Sequence, residues 1–296
     1  MSQIFKYNLK RDFLSIVIPV YNDPEGLIDT ISSLLNQTLD RNKYEIIVAN
    51  DGDIEDISQI CNQFNIKTVS LNPKKGSYSA RNKALYYAKG EYILFIDADI
   101  KVPKEFLKIG IDLLKNYDYI GGQVLIDKSK IETITHYFEY LCSFNIKKNL
   151  VKDHFIPTAY LFIDRNILMT LGNFDGRLRS GGDLEFGNRV FDSRRFKMHY
   201  SKKIYAIHPP KGLKALIRKH IRITTGSLVL ANMYPKRFSY LRFGLIKLIK
   251  ILIAPTFWVI KSNRPINAPI RIKLVFWAIG FGLINFYNTL SKISPQ

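Results

Sequence analysis

The decapeptide EYILFIDADI, residues 91–100, ends an apolar run on two carboxylates, Asp97 and Asp99, one residue apart. Like charges held that close repel and lose hydration, so the pair asks for a cation. A hard divalent ion, Mn2+ or Mg2+, takes oxygen ligands and commonly combines one or two carboxylates with substrate phosphates. A D-x-D pair alone is a weak signal, because it recurs in solvated loops; its place at a strand end strengthens it. A third carboxylate, Asp51, follows the run YEIIVAND and either caps a helix or faces the same crevice. A fourth, Asp183, stands behind Gly181 and Gly182 where a helical pattern opens. There it is either an N-cap residue or a base that takes the proton of an attacking hydroxyl, the glycines letting a substrate approach the backbone. Glu185 and Arg189, four apart on that helix, are expected to pair with each other.

The elements that must position these groups alternate along the first hundred residues. LSIVIPVY (14–21), YEIIVAND (44–51), IKTVSL (66–71) and EYILFIDADI (91–100) read as strands, and each of the first three is followed by a helical pattern. Such alternation predicts an α/β fold with a mostly parallel sheet and helices on both faces. Ligands of such sheets bind beyond the carboxyl ends of the strands. Tyr21, Asn22 and Asp23, then Asn50, Asp51 and Gly52, then Asp97 and Asp99 occupy those ends. Asn22 and Asp53 are expected to serve as helix caps. Further strands are expected in YIGGQVLI, TAYLFI and 196–208, and helices in KIETITHYFEYLCSF, RSGGDLEFGNRVFD and KGLKALIRKHIRITTGSLVL. No Pro/Gly/Ser-rich linker interrupts residues 1–230, which are read as one catalytic domain, with 231–296 as a helical tail.

SIVIPVYND, IIVANDG, GSYSARNKAL, GEYILFIDAD and GNFDGRLRSGGDLEFGNR occur in this order. Together they resemble the family 2 inverting glycosyltransferases of the GT-A fold, over about residues 14–222. The resemblance implies a nucleotide-sugar donor and a divalent metal. By it, Pro19 and Asp51 line the pocket for base and ribose, next to Tyr21, and Arg81 lies near the base or diphosphate. Asp97 contacts ribose or sugar, and Asp99 ligates the metal. Asp183 matches the aspartate of the family's acidic base pair, whereas Gly182 stands where many members have a glutamate. His208 matches a histidine that can complete the metal site; on its own, a histidine before two prolines is more often a turn residue than a ligand.

The charge is unevenly spread. Twenty of the 44 Lys and Arg lie after Asp192, where no Asp or Glu occurs, which leaves 24 cations against all 25 acids in residues 1–192. The excess therefore belongs to the last third, which suits a polyanionic surface. Leu241, Leu245, Leu248, Ile249 and Leu252 fall at helical spacing, with Arg242, Lys250 and Lys247 on one polar face. A basic amphipathic helix at an anionic membrane surface is expected there. The uncharged stretch 274–290 is at the short limit for spanning a bilayer. Lys261, Arg264, Arg271 and Lys273 in the connection would face outward in a transmembrane hairpin, against the positive-inside rule, and Pro255 is expected to interrupt the first segment. The expectation is monotopic attachment at the cytoplasmic face of a membrane. The alternative is a soluble helical subdomain that buries these faces against the catalytic domain or against a second subunit of a homo-oligomer.

Cys61 and Cys142 offer neither a disulfide framework nor metal-ligand spacing, in keeping with a reducing compartment. MSQIFKYNLKRDF has no apolar stretch, so no secretory leader is expected in it. The function expected is metal-dependent transfer of a sugar, from a UDP-sugar, to a hydroxyl of a glycan or lipid-linked acceptor. A polyprenyl phosphate acceptor, which needs no base, is the alternative within the class. Nucleic-acid binding suits the basic charge but not the aromatics of the tail, which sit within aliphatic runs rather than as stacking platforms among cations.

Overall fold

A computed structural model describes residues 9–52, 54–242 and 244–293. Asp53, and residues 1–8 of the segment read for a leader, lie outside the described residues, as do the side chains of Leu245 and Lys247. The chain divides into two compact units, residues 1–124 with 146–208, and residues 125–145 with 209–296.

The first unit opens with the alternation the sequence predicts: β1 (Lys10–Val20), α1 (Pro24–Leu35), β2 (Tyr44–Asn50), α2 (Ile54–Gln63), β3 (Lys67–Ser70), α3 (Ser77–Leu85) and β4 (Gly90–Ile96). Leu14 to Val20 of β1 are all buried, as expected for a central strand covered on both faces. Asp23, rather than Asn22, caps α1, accepting the Gly26 N–H at 3.0 Å. Asn22 instead takes a positive φ of 48°.

Beyond β4 come α4 (Phe106–Leu114), β5 (Tyr119–Ile126), α5 (Ile134–Cys142), α6 (Ile146–Asp153), β6 (Tyr160–Asp164), α7 (Arg165–Leu171), α8 (Gly182–Ser193) and β7 (Met198–His208). The seven strands are ordered β3-β2-β1-β4-β6-β5-β7. The pairings β3/β2, β2/β1 and β1/β4 are parallel, while β6 runs antiparallel to both β4 and β5. The carboxyl ends of β1, β2 and β4 therefore point the same way. Phe174 binds the site's supports together, its ring 5.1 Å from Phe95 of β4, 4.6 Å from Phe186 of α8 and 5.5 Å from Tyr78 of α3. Such tilted and edge-on pairs add specificity to the burial.

The second unit holds α5 and then α9 (Leu213–Met233), α10 (Pro235–Phe238), α11 (Leu245–Lys261) and α12 (Ala268–Ile293). It thus begins earlier than the boundary at 231 read from composition, because α5 and α9 share its core. Phe138, Leu141, Leu216, Val259, Leu274, Ala278 and Phe281 form that core. Glu139, fully buried, accepts Lys219 Nζ at 3.3 Å and the Lys211 N–H at 2.5 Å, fixing the entry to α9. Two expectations change here. Leu241 closes a short 3-10 turn and Arg242 follows it, so neither joins α11. Pro255 does not interrupt α11: its missing N–H removes one helical bond, and the buried ring packs inward. α12 also outgrows the apolar run, since Arg271 and Lys273 lie within it; among the described residues it is the one helix long and apolar enough to cross a membrane.

Candidate active site

One short helix collects the carboxylates. The loop into α3 turns two backbone amides onto Asp51, Lys75 N–H to Oδ1 and Gly76 N–H to Oδ2, both at 2.7 Å. Asp51 itself is buried just past β2 and donates its N–H to the Val20 carbonyl at the end of β1. Pro19 is buried in β1 opposite Ala49, and Tyr21 is exposed with Lys74 Nζ 5.0 Å from its ring centre. These groups stand together at the ends of β1 and β2.

Three residues apart on α3, and so on one face, Tyr78 and Arg81 reach Asp183 and Asp97. Arg81, only 2% exposed, donates Nη2 to Asp97 Oδ1 at 2.5 Å and to the Thr158 carbonyl at 3.3 Å, with its guanidinium over the Tyr78 ring at 5.6 Å. The Tyr78 hydroxyl donates to Asp183 Oδ1 at 3.1 Å. On the neighbouring side of α3, Ser79 donates to the Gly176 carbonyl at 2.9 Å and Asn82 to the Phe174 carbonyl at 2.7 Å. Those two bonds hold the loop that delivers α8.

Asp183 is not the cap of α8. Gly181 caps it in the left-handed region, φ 81°, and Asp183 is the second helical residue, accepting the Leu184 N–H at 3.0 Å. Gly182 answers to a close approach: a Cβ there would stand 2.7 Å from the Tyr78 ring, below any ordinary contact. The glutamate that many family members carry has no room at this position, and the Tyr78 hydroxyl occupies the neighbourhood of Asp183 instead. Burial raises the Asp183 pKa above the usual carboxylate range, against the lowering effects of the Leu184 N–H, the Tyr78 hydroxyl and Arg81. Burial and the Asp183 charge raise the Tyr78 phenol as well, so it stays a donor.

Asp97 and Asp99 lie just beyond β4, not within it. Asp99 Oδ2 is 3.3 Å from Nε2 of His208, the last residue of β7, which is buried. Adjacent ligands of an octahedral ion at about 2.1 Å are about 3 Å apart, so the two donors suit neighbouring positions on one Mg2+ or Mn2+ that keeps waters and phosphates elsewhere. No cluster of three or more His, Cys, Asp or Glu suited to a metal occurs among the described residues. Arg81 holds Asp97 Oδ1, leaving Asp99 and His208 as the pair that fits. Glu185 and Arg189 form the expected ion pair at 2.7 Å, and Arg189 also donates to the Leu171 and Asn173 carbonyls. A cavity of about 460 Å³ opens between α3 and the end of β3, lined by Ser70, Lys75, Ser79, Asn82, Lys83 and Tyr86 among others; Asp97, Asp99 and Asp183 do not line it.

Sequence reasoning placed the four carboxylates and Arg81 but gave Tyr78 no role. Its spacing of three from Arg81 was the signal available.

The sequence profile of Glycosyl transferase family 2 matches residues 15–172. Glycosyltransferase AglE of Haloferax volcanii is 25% identical over 223 residues, 73% of this chain and 73% of that protein. A poly(ribitol-phosphate) beta-glucosyltransferase of Bacillus spizizenii is 39% identical over 119 residues, 38% of this chain and 16% of that protein. Among solved structures, the mannosyltransferase PcManGT from Pyrobaculum calidifontis, in complex with GDP-Man and Mn2+, superposes with a TM-score of 0.61 at 13% identity, over 98% of this chain and 90% of its own. TarS 1-349 from S. aureus, in complex with UDP-GlcNAc, gives 0.53 at 17% identity, over 95% and 91%. These likenesses show the GT-A fold.

Proposed function

We propose that this chain, which belongs to glycosyl transferase family 2, moves a sugar with inversion from a UDP-sugar to a hydroxyl of a lipid-linked or envelope-polysaccharide glycan. The observation that carries the reading is the gathering of Asp51, Asp97 and Asp183 around α3. Asp51, with Pro19 and Tyr21, receives the nucleoside end of the donor. Arg81 fixes Asp97 at the ribose and sugar. Asp183 accepts the acceptor's proton as that oxygen bonds to the anomeric carbon; the bond to the diphosphate breaks, and its electron pair leaves with the diphosphate. The raised Asp183 pKa supports this role, because a desolvated carboxylate is the stronger base.

Asp99 and His208 fit as holders of Mn2+ or Mg2+, which when bound neutralises the departing diphosphate. The name of the Bacillus relative supports a polymer acceptor. The basic C-terminal third supports work at the cytoplasmic face of a membrane. The test is a hydrolysis screen of UDP-, GDP- and other nucleotide sugars with and without Mn2+. Mn2+-dependent hydrolysis of a UDP-sugar is expected. Failure to bind or hydrolyse any donor, beside steeply salt-dependent DNA binding, would overturn it.

A further inference from the structure

The geometry points to α11 and α12 lying flat on an anionic bilayer, and not crossing it as a hairpin. This deepens the membrane part of the function proposed above and rests on it. Both helices leave a stripe of large apolar side chains in solvent: Phe257 (55%) and Ile260 (60%) on α11, and Ile272 (60%), Phe276 (71%), Leu283 (55%) and Tyr287 (73%) on α12. The α12 four are spaced by four, seven and four residues, one helix face, while buried Leu274, Ala278 and Phe281 occupy the opposite one. Soluble monomers rarely expose an apolar face of this extent. Lys250, Lys261 and Lys273 are exposed on the same helices, and no acid occurs after Asp192. A phospholipid surface with negative headgroups matches both features; a second copy of an equally cationic face does not.

The connection between the helices decides the orientation. The Arg264 guanidinium donates to the Tyr140 and Ser143 carbonyls, and Ser262 Oγ donates to the Leu141 carbonyl at 3.1 Å, all at the C-terminal end of α5. Arg271 then ties Val259, Ser262 and Arg264 by their carbonyls at 2.8–3.0 Å. The chain leaves the first unit after Val124 and re-enters it at Ile146. Two crossings of the hydrocarbon layer need about 40 helical residues, far more than this segment has, so α5 and the connection bonded to it stay on the side of the bilayer where the segment begins and ends. α12 does not leave alone either. Gly282 meets the Leu252 carbonyl too closely for any Cβ, and the α12 core residues pack with Phe138 and Leu216.

The test uses the full chain and vesicles of equal parts phosphatidylcholine and phosphatidylglycerol, with flotation at low and high salt. Binding is expected, weakened by salt, absent on pure phosphatidylcholine, and reduced about tenfold or more in a Phe276→Ser, Tyr287→Ser variant. An Asn263→Cys thiol in the connection, in a Cys142→Ser background, is expected to react with a membrane-impermeant reagent on the outside of vesicles the protein was added to. Protection of that thiol overturns the flat orientation. Absence of vesicle binding, with a dimer that Phe276→Ser dissolves, overturns the lipid assignment. Donor hydrolysis, measured in parallel without vesicles, reports on the transferase reading separately.

Discussion

Replacing Tyr78 by phenylalanine isolates one hydrogen bond at Asp183, the proposed base. The ring stays against Phe174 and Gly182, and only the hydroxyl that donates to Asp183 Oδ1 at 3.1 Å is lost. A hydrogen bond to a charged group contributes about 1.5–3 kcal/mol. At 3.1 Å it is long for an O–H···O bond, so the low end applies. One pKa unit corresponds to about 1.4 kcal/mol, and the Asp183 pKa is therefore expected to rise by about one further unit. The acid limb of the kcat/KM profile for donor hydrolysis should move up in pH by that amount, with donor KM little changed. The sign follows from the base having to be ionised: activity falls as pH drops through its pKa, and a higher pKa brings the fall sooner. Stability should move in step, since a raised carboxylate pKa penalises the folded state above it. Tyr78→Phe should thus lose about 1.5 kcal/mol at pH 8, and the deficit should shrink as acid neutralises Asp183. An acid limb that stays in place while the melting temperature drops would refute the reasoning and leave Tyr78 a packing residue.

Restoring the family's glutamate with Gly182→Glu should cost about 1–3 kcal/mol by overpacking against the Tyr78 ring. Combining it with Tyr78→Ala should recover part of that loss, a coupling that thermal melts of the double-mutant cycle read directly. His208→Ala should weaken Mn2+ binding, followed by titration calorimetry, well beyond an exposed variant such as Lys108→Ala; equal affinities would return His208 to a structural role. Asp51→Ala removes the acceptor of the part-buried Lys75 and Gly76 amides, which water can then reach, costing roughly 0.5–1.5 kcal/mol for each bond. Donor affinity should fall with it, and an unchanged donor Kd would separate Asp51 from the nucleoside end.

The strands and the carboxylates at their ends were legible because each rests on a local pattern: continuous apolar runs for covered strands, then polar residues where the crevice opens. Asp51, Asp97 and Asp99 stood out that way, whereas the glycines before Asp183 left it open between a helix cap and a base, and only the family resemblance favoured the base. The pattern does not encode strand order, so the antiparallel insertion of β6 between β4 and β5 was invisible. α7 has only seven residues, too few for helical periodicity, and α4 and α6 likewise went unread. Asn22 and Asp23 are both capable caps, and only the backbone told them apart. Tyr78 escaped because its spacing of three from Arg81 places both on one helix face but does not say what the hydroxyl meets. The contact joins residues 105 apart in sequence. Pro255 was misjudged because a proline costs a helix one bond, which packing against a neighbour can offset.

The most direct test of the account is the rate of donor hydrolysis by Asp183→Asn, with donor affinity measured alongside. With Asp183 as the proposed base, the rate should fall by about a hundredfold or more while UDP-sugar binding holds. Turnover close to that of the unaltered protein would contradict the base assignment and favour a phosphate acceptor that needs no proton removed.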